Sequence, residues 1–336
     1  MKIFKSVIFT VLTACCFFTF ASTSQAADTL HIITTIFPEY DWVQNILGDN
    51  PAEIEVMQLL DNGVDLHSYQ PTADDILKLS GCDLFIYVGG ESDEWVEDAL
   101  KEAVNKNMVT ISLLETLGDA VKEEELVEGM EADHDHEHKE EHDHEDEEHI
   151  HDHDHEEVEY DEHVWLSLRN AAVLCQKFAE AISALNPENA ALYQENAAAY
   201  IEKLNTLDTK YQTAVSDASV HTLLFGDRFP FRYLTDDYGL DYYAAFSGCS
   251  AESEASFETI IFLTQKINEL GLKSVMKIEG KDHRIAQTIV QNTASKDQQI
   301  LTMDSMQATT SKDSANGTTY LSITEKNLEV LKEALK

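Results

Sequence analysis

A chain of 336 residues with 43% hydrophobic content is long enough for two domains with ordinary cores. Its 63 carboxylates against 23 Lys and Arg give a formal net charge of −40, a field that argues against nucleic acid and favours cations. The charge is uneven, because residues 123–162 alone hold 22 of the carboxylates.

Lys2 and Lys5 precede an apolar run over 7–20, followed by small and polar residues up to Ala27. That layout predicts a secretory signal peptide over 1–27, with the mature protein periplasmic or at the cell surface. Leu12-Thr13-Ala14-Cys15 also fits a lipoprotein cleavage box that would leave a lipid on Cys15, although Cys16-Phe17-Phe18 follows in place of a polar tether. No later apolar run reaches the ~18 residues of a membrane span.

Past the signal, β-branched runs predict strands over 30–37, 53–60, 84–88 and 108–113. Helical spacing places helices over 39–47, 73–79 and 91–105 between them. This alternation predicts a parallel sheet covered on both faces. The longest helical pattern follows, over 171–185 and 189–215, with Pro187 restarting a helix at its first turn. The alternation then resumes, with strands over 220–225, 241–246, 274–278 and 300–303. Helices over 231–238, 257–270, 285–293 and 325–335 complete it. The expected fold is α/β, two parallel-sheet lobes facing each other across a metal cleft and joined by a long rigid helix. The expected divisions are an N-terminal lobe over 28–165, linker helices over 166–216 and a C-terminal lobe over 217–336.

Between the lobes' patterns lies an unusual stretch over 133–165. Nine of the fourteen histidines, His134, His136, His138, His142, His144, His149, His151, His153 and His155, alternate there with carboxylates. With almost nothing apolar to bury, residues 123–162 are expected to form a disordered loop. Neutral imidazoles backed by carboxylates make it an auxiliary metal-capturing segment, where the plainer reading is an acidic solubility tail.

Ligands of open parallel sheets bind beyond the carboxyl ends of the strands. That rule selects His67 and His163 from the first lobe. From the second it selects Asp227 and Arg228, Cys249, Glu279 and Asp304. Singly, each would ordinarily be a solvated or turn-capping residue; jointly they would make a transition-metal site. Cys82 and Cys175 read as core thiols.

Several of these residues sit in recognisable motifs. Gly63-Val-Asp-Leu-His-Ser-Tyr-Gln-Pro71 resembles the G-x-D-P-H-x-Y-x-P signature of metal-specific substrate-binding proteins of ABC transporters. Asp161-Glu-His-Val-Trp-Leu166 resembles their D-P-H-x-W-L, and Phe231 to Leu240 and Met303-Asp304-Ser305 resemble their later motifs. A histidine-rich loop before the second ligand is similar to the zinc-uptake branch. The resemblance implies that His67 and His163 ligate the metal, with Asp304 as a ligand or a supporting carboxylate. It also implies one long connecting helix, small lobe closure, and delivery of the ion to an ABC permease and its ATPase. The family's third ligand position falls on Arg228, which cannot coordinate. Asp227 next to it, Glu279, water, a loop histidine or the soft Cys249 are the alternatives. Leu66 and Glu162 stand where both motifs carry proline.

The reading is therefore a monomeric, non-enzymatic extracytoplasmic receptor that captures Zn2+ for an ABC importer. Alternatives are a manganese receptor or adhesin of the same family, or a zinc buffer. A metal-dependent hydrolase is a further class, for which the sequence offers neither H-E-x-x-H nor G-x-S-x-G. Two imidazoles favour Zn2+, whereas Mn2+ prefers more carboxylate.

Overall fold

The computed structural model describes residues 29–49, 54–130, 159–250, 254–280 and 283–336. The expected signal peptide, Cys15 and the nine loop histidines lie outside the described residues. The first lobe runs β1 (Leu30–Thr34), α1 (Phe37–Leu47), β2 (Ile54–Gln58), α2 (Ala73–Ser80), β3 (Leu84–Tyr87), α3 (Trp95–Glu102), β4 (Val109–Ser112) and α4 (Leu113–Leu117). Two helices then connect the lobes, α5 (Leu168–Leu185) and α6 (Ala190–Ser216). The second lobe runs β5 (Thr222–Phe229), α7 (Arg232–Tyr238), β6 (Asp241–Ser247), α8 (Phe257–Leu270), β7 (Ser274–Lys277), α9 (Arg284–Asn292), β8 (Gln299–Thr302), α10 (Ser311–Ala315) and α11 (Tyr320–Ala334).

Each lobe holds a four-stranded, all-parallel sheet, ordered β2-β1-β3-β4 in the first and β6-β5-β7-β8 in the second. The two orders are the same, so the second half repeats the architecture of the first, as its alternation predicts. The order reverses beside β1 and beside β5, where such sheets open a crevice at the strands' carboxyl ends.

The local differences from the periodicity have identifiable causes. α1 starts at Phe37, before the expected residue 39, because Pro38 is tolerated in a first turn. The buried Glu39 carboxylate also accepts the N–H groups of Thr35 and Ile36 at 2.8 and 3.2 Å, closing the helix N-terminus. The helix expected over 91–105 divides into a 3-10 turn at Glu91–Asp93 and α3. The last helix begins at Tyr320 under a Thr319 cap whose hydroxyl accepts Ser322 N–H at 3.1 Å. β5 extends to Phe229 and carries a bulge between Phe225 and Arg228. Gly226 occupies the bulge; a Cβ there would lie 2.7 Å from Ala286 Cα. Asp227 and Arg228 thus ride on the strand's end, not on the loop after it.

α6 is 27 residues long, roughly 40 Å, and packs along α5. A continuous buried cluster runs from Ile32 through Phe178 and Leu204 to Leu335, so the lobes share one core across the connector. A second cluster, including Leu224, Phe246 and Leu263, backs the far face of the second sheet. At the seam Trp42 meets Tyr320 edge-on at 5.1 Å. Tyr320 Oη donates to Trp165 O at 2.6 Å, and Trp165 Nε1 donates to Ser305 O at 2.9 Å. Burying aromatic rings of this size is worth about 1.5–3 kcal/mol each, which opposes wide separation of the lobes. Among the described residues no helix is long and apolar enough to cross a membrane.

Candidate metal centre

His67 lies in a 3-10 turn, Leu66–Ser68, beyond the carboxyl end of β2. Asp65 caps that turn, its carboxylate accepting His67 N–H at 3.1 Å, so the aspartate of the Gly63–Pro71 motif shapes the backbone that presents the ring. His163 heads the 3-10 turn Val164–Leu166 and is fully buried. The two imidazoles meet Nε2 to Nε2 at 3.1 Å.

Their other nitrogens decide what that meeting means. His163 Nδ1 lies 3.0 Å from Asp161 Oδ1, and the same oxygen accepts His163 N–H at 2.9 Å. His67 Nδ1 lies 2.8 Å from Ser92 Oγ and 3.4 Å from Glu162 Oε2. Acceptors at both Nδ1 positions assign the proton to Nδ1 and the lone pair to Nε2 on each ring. Two lone pairs pointed at each other across 3.1 Å repel unless a cation or a shared proton sits between them. Zinc bound at about 2.0–2.1 Å from each nitrogen fits this separation, and carboxylates behind the rings are the usual support of histidine ligands.

Glu162 shows why proline is absent from its motif. Its Oε1 accepts Ser92 N–H at 2.9 Å while Oε2 faces His67, tying the second histidine segment to the first. Burial would raise this carboxyl, but its contacts with His67 and Ser92 hold it below the usual carboxylate range. Gly90 makes the fit possible: at φ +82° it leaves room where a Cβ would sit 2.4 Å from Glu162 Oε1. Neither Glu162, Ser92 nor Asp161 stands out by residue type; the signal for Glu162 is its replacement of proline.

From the second lobe, the residue brought to the imidazoles is Cys249, just past β6. One ligand atom from each of His67, His163 and Cys249 lies within 4.8 Å of the others, and this is the group of that kind found among the described residues. The carboxylates named above take other partners. Asp227 accepts the N–H groups of Arg228 and Ile278 at 2.9 and 3.2 Å. Asp304 accepts Met306 N–H at 2.8 Å. Glu279 accepts Ser305 N–H at 2.7 Å and Ser305 Oγ at 2.6 Å. Burial, then the nearby Asp304 charge, raise the Glu279 carboxyl to about 7.

Arg228 does not ligate. Its Nη2 donates to Asp65 Oδ2 at 2.6 Å and its Nη1 to Ser250 O at 3.2 Å. Burial would raise the Asp65 carboxyl, but Arg228 and then His67 lower it. Oriented with its amide nitrogen toward Asp65, Gln307 donates to both carboxylate oxygens at 2.7 and 2.9 Å. Asp65 is thereby held by two residues of the opposite lobe.

A cavity of about 380 Å³ leads to this group, lined by His67, Cys249 and an acidic rim of Glu91, Glu94, Glu124 and Glu159. Glu123 and Tyr160 form an antiparallel bridge, with Glu124 N–H donating to Glu159 O and Asp161 N–H to Lys122 O, both at 2.9 Å. That ladder clamps together the two ends of the histidine-rich stretch, at the rim of the cavity.

The chain's relatives agree with this architecture. The model of a family described as zinc-uptake complex component A, periplasmic (ZnuA), matches residues 32–334. A zinc-binding lipoprotein, AdcA, of Streptococcus pneumoniae is 31% identical over 98% of this chain. The chain spans 61% of the length of that relative. The high-affinity zinc uptake system protein ZnuA of Bacillus subtilis is 29% identical, over 94% of this chain and 90% of its own length. Among solved structures, the Zn(II)-bound ZnuA-like domain of S. pneumoniae AdcA superposes with a TM-score of 0.67 at 27% identity, covering 91% of this chain and 99% of that one.

Proposed function

Because the chain belongs to the periplasmic zinc-uptake component A (ZnuA) family, we propose that it is an extracytoplasmic receptor that captures Zn2+ and passes it to an ABC permease and its ATPase. The observation that carries this reading is the pair of Nε2 atoms 3.1 Å apart, each ring backed at Nδ1 by an oxygen of Asp161 or Ser92. Such a pair is preorganised for a borderline-soft divalent cation, and manganese, which prefers carboxylate, is the weaker fit. The relatives named for zinc binding and zinc uptake support the same cargo.

In this reading His67 and His163 grip the ion, while Asp161, Ser92 and Glu162 orient them. The shared apolar seam limits the lobes to a small movement on loading. Residues 1–27 serve as the export signal, 28–165 and 217–336 form the two lobes, and 166–216 join them; the monomer is the working unit. Cys15 is the candidate lipid attachment point, in keeping with a relative called a lipoprotein. The nine histidines His134 to His155 act as an auxiliary reservoir, and the clamp at Glu123 and Tyr160 sits at the acidic rim of the cavity.

The test is zinc content and competition titration of the protein beside the His67→Ala, His163→Ala double variant. One tight zinc per chain, lost in the double variant while weaker ions remain, is the expected result. Tight binding that survives the double variant would assign the metal elsewhere.

A further inference from the structure

Arg228 stands where the resemblance implies a third ligand and cannot itself coordinate, yet the structure brings a ligating side chain close by. Three separate contacts bring Cys249 toward the imidazoles. Arg228 Nη1 donates to Ser250 O at 3.2 Å, drawing in the loop that carries the thiol. The Glu124 carboxylate accepts Cys249 N–H at 3.1 Å, fixing the thiol's backbone at the cavity wall. Gly248 lets the loop lie against His163; a Cβ there would be 3.0 Å from His163 Cε1. The position that cannot coordinate is therefore used to place one that can.

Resting on the zinc-receptor reading above, we infer that Cys249 supplies the third protein ligand, as a thiolate, in a His67–His163–Cys249 centre. The 4.8 Å grouping of the three ligand atoms suits a centre with nitrogen ligands at about 2.0–2.1 Å and sulfur at about 2.3 Å. Binding exchanges the Cys249 S–H proton, released to solvent, for a metal–sulfur bond, with no change of oxidation state. One coordination position is left for water or an amide oxygen. A sulfur ligand changes what the site selects. It strengthens the hold on zinc and other borderline or soft cations and discriminates against manganese more sharply than a third imidazole or a carboxylate would. Cys82 and Cys175, 1% and 0% exposed, lie in the core and cannot play this part.

Cobalt(II) titration of the wild-type chain and of Cys249→Ser separates the possibilities. Wild type is expected to show a near-ultraviolet thiolate-to-cobalt charge-transfer band saturating at one ion per chain, and Cys249→Ser to lack it. The loop histidines, which carry no sulfur, do not contribute to that band. Zinc affinity of Cys249→Ser should fall by more than the roughly 10–100-fold that losing a supporting partner costs. A measurement on the unaltered protein guards against misfolding of the variant. One equivalent of zinc should slow iodoacetamide alkylation of Cys249, located by mass spectrometry, at least tenfold. A wild-type site that binds one cobalt without the band, or a Cys249→Ser site of unchanged zinc affinity, overturns the assignment. Either result leaves the two-histidine reading standing, whereas loss of that reading would be seen in the double histidine variant instead.

Discussion

Asp65 and Arg228, 163 positions apart in the chain, meet at 2.6 Å across the junction of the two lobes. Asp65 belongs to the turn that presents His67, and Arg228 to the strand end beside the Cys249 loop. Their contact therefore couples the two halves of the candidate centre. Both side chains are largely shielded, so water screens the pair only in part.

Replacing Arg228 with Met should leave a shielded carboxylate short of its charged partner. Losing a hydrogen bond to a charged group costs about 1.5–3 kcal/mol, and a fall of that size in unfolding free energy is expected from urea titration of the metal-free protein. Arg228→Lys should recover only part, because a single ammonium cannot reproduce the contacts to both Asp65 and Ser250. A variant as stable as the parent would show that the pair contributes nothing net.

Glu162→Gln keeps the shape of the side chain and removes the charge facing His67 Nδ1. Zinc affinity should drop by roughly 10–100-fold, as expected for a partner behind a metal-binding imidazole. Competition titration reads this directly, and an unchanged constant would reduce Glu162 to a link to Ser92 N–H alone.

Gly248→Ala tests the close approach of the Cys249 loop to His163. The added Cβ would lie 2.9 Å from Phe229 O and 3.0 Å from His163 Cε1, and the backbone oxygen has little room to yield. We expect at least tenfold weaker zinc binding with secondary structure retained, measured by titration and circular dichroism.

Deleting residues 131–157 removes the nine-histidine stretch but leaves Glu123 and Tyr160 to pair. Total zinc per chain should fall while one tight site remains. In the intact protein the weaker sites should empty as pH drops through about 6.5, where imidazoles protonate. Loss of the tight site with the stretch would contradict an auxiliary role.

The metal-free protein should become less stable as pH rises through the weakly acidic range. Burial, with Glu162 as a nearby like charge, raises the Asp93 carboxyl to about 7, and burial raises Asp41 to about 6. A carboxyl raised on folding binds more protons in the native than in the unfolded state. Its contribution is therefore full at low pH and is lost as pH climbs from the unfolded value, about 4, to the folded one. Thermal melting should show a lower Tm at pH 8 than at pH 5.5, and Asp93→Asn should flatten the slope. A slope of the opposite sign would contradict the burial of these groups.

The strands and helices were legible in the sequence because their signals are local. Alternating apolar runs give two repeats of the same parallel sheet, and His67 and His163 sit in short motifs that carry their own turn geometry. The histidine-rich stretch announces cation capture by composition alone. Element ends were less legible: β5 outruns its apolar pattern because a glycine bulge carries the strand to Phe229, and α1 starts early because a buried glutamate caps it.

What the sequence by itself determined is the two-lobed α/β architecture, the pair of imidazoles at the strands' carboxyl ends, and the family. These follow from periodicity and from motifs a few residues long. Only the tertiary structure decided which second-lobe residue faces those imidazoles. Asp227, Glu279 and Asp304 turn to nearby backbone N–H groups, while Arg228 crosses to Asp65 and Cys249 approaches the rings. The reason is physical: a carboxylate beside free N–H groups satisfies itself locally. The meeting of His67, His163 and Cys249 depends instead on how two lobes settle on one shared core, which no local pattern encodes.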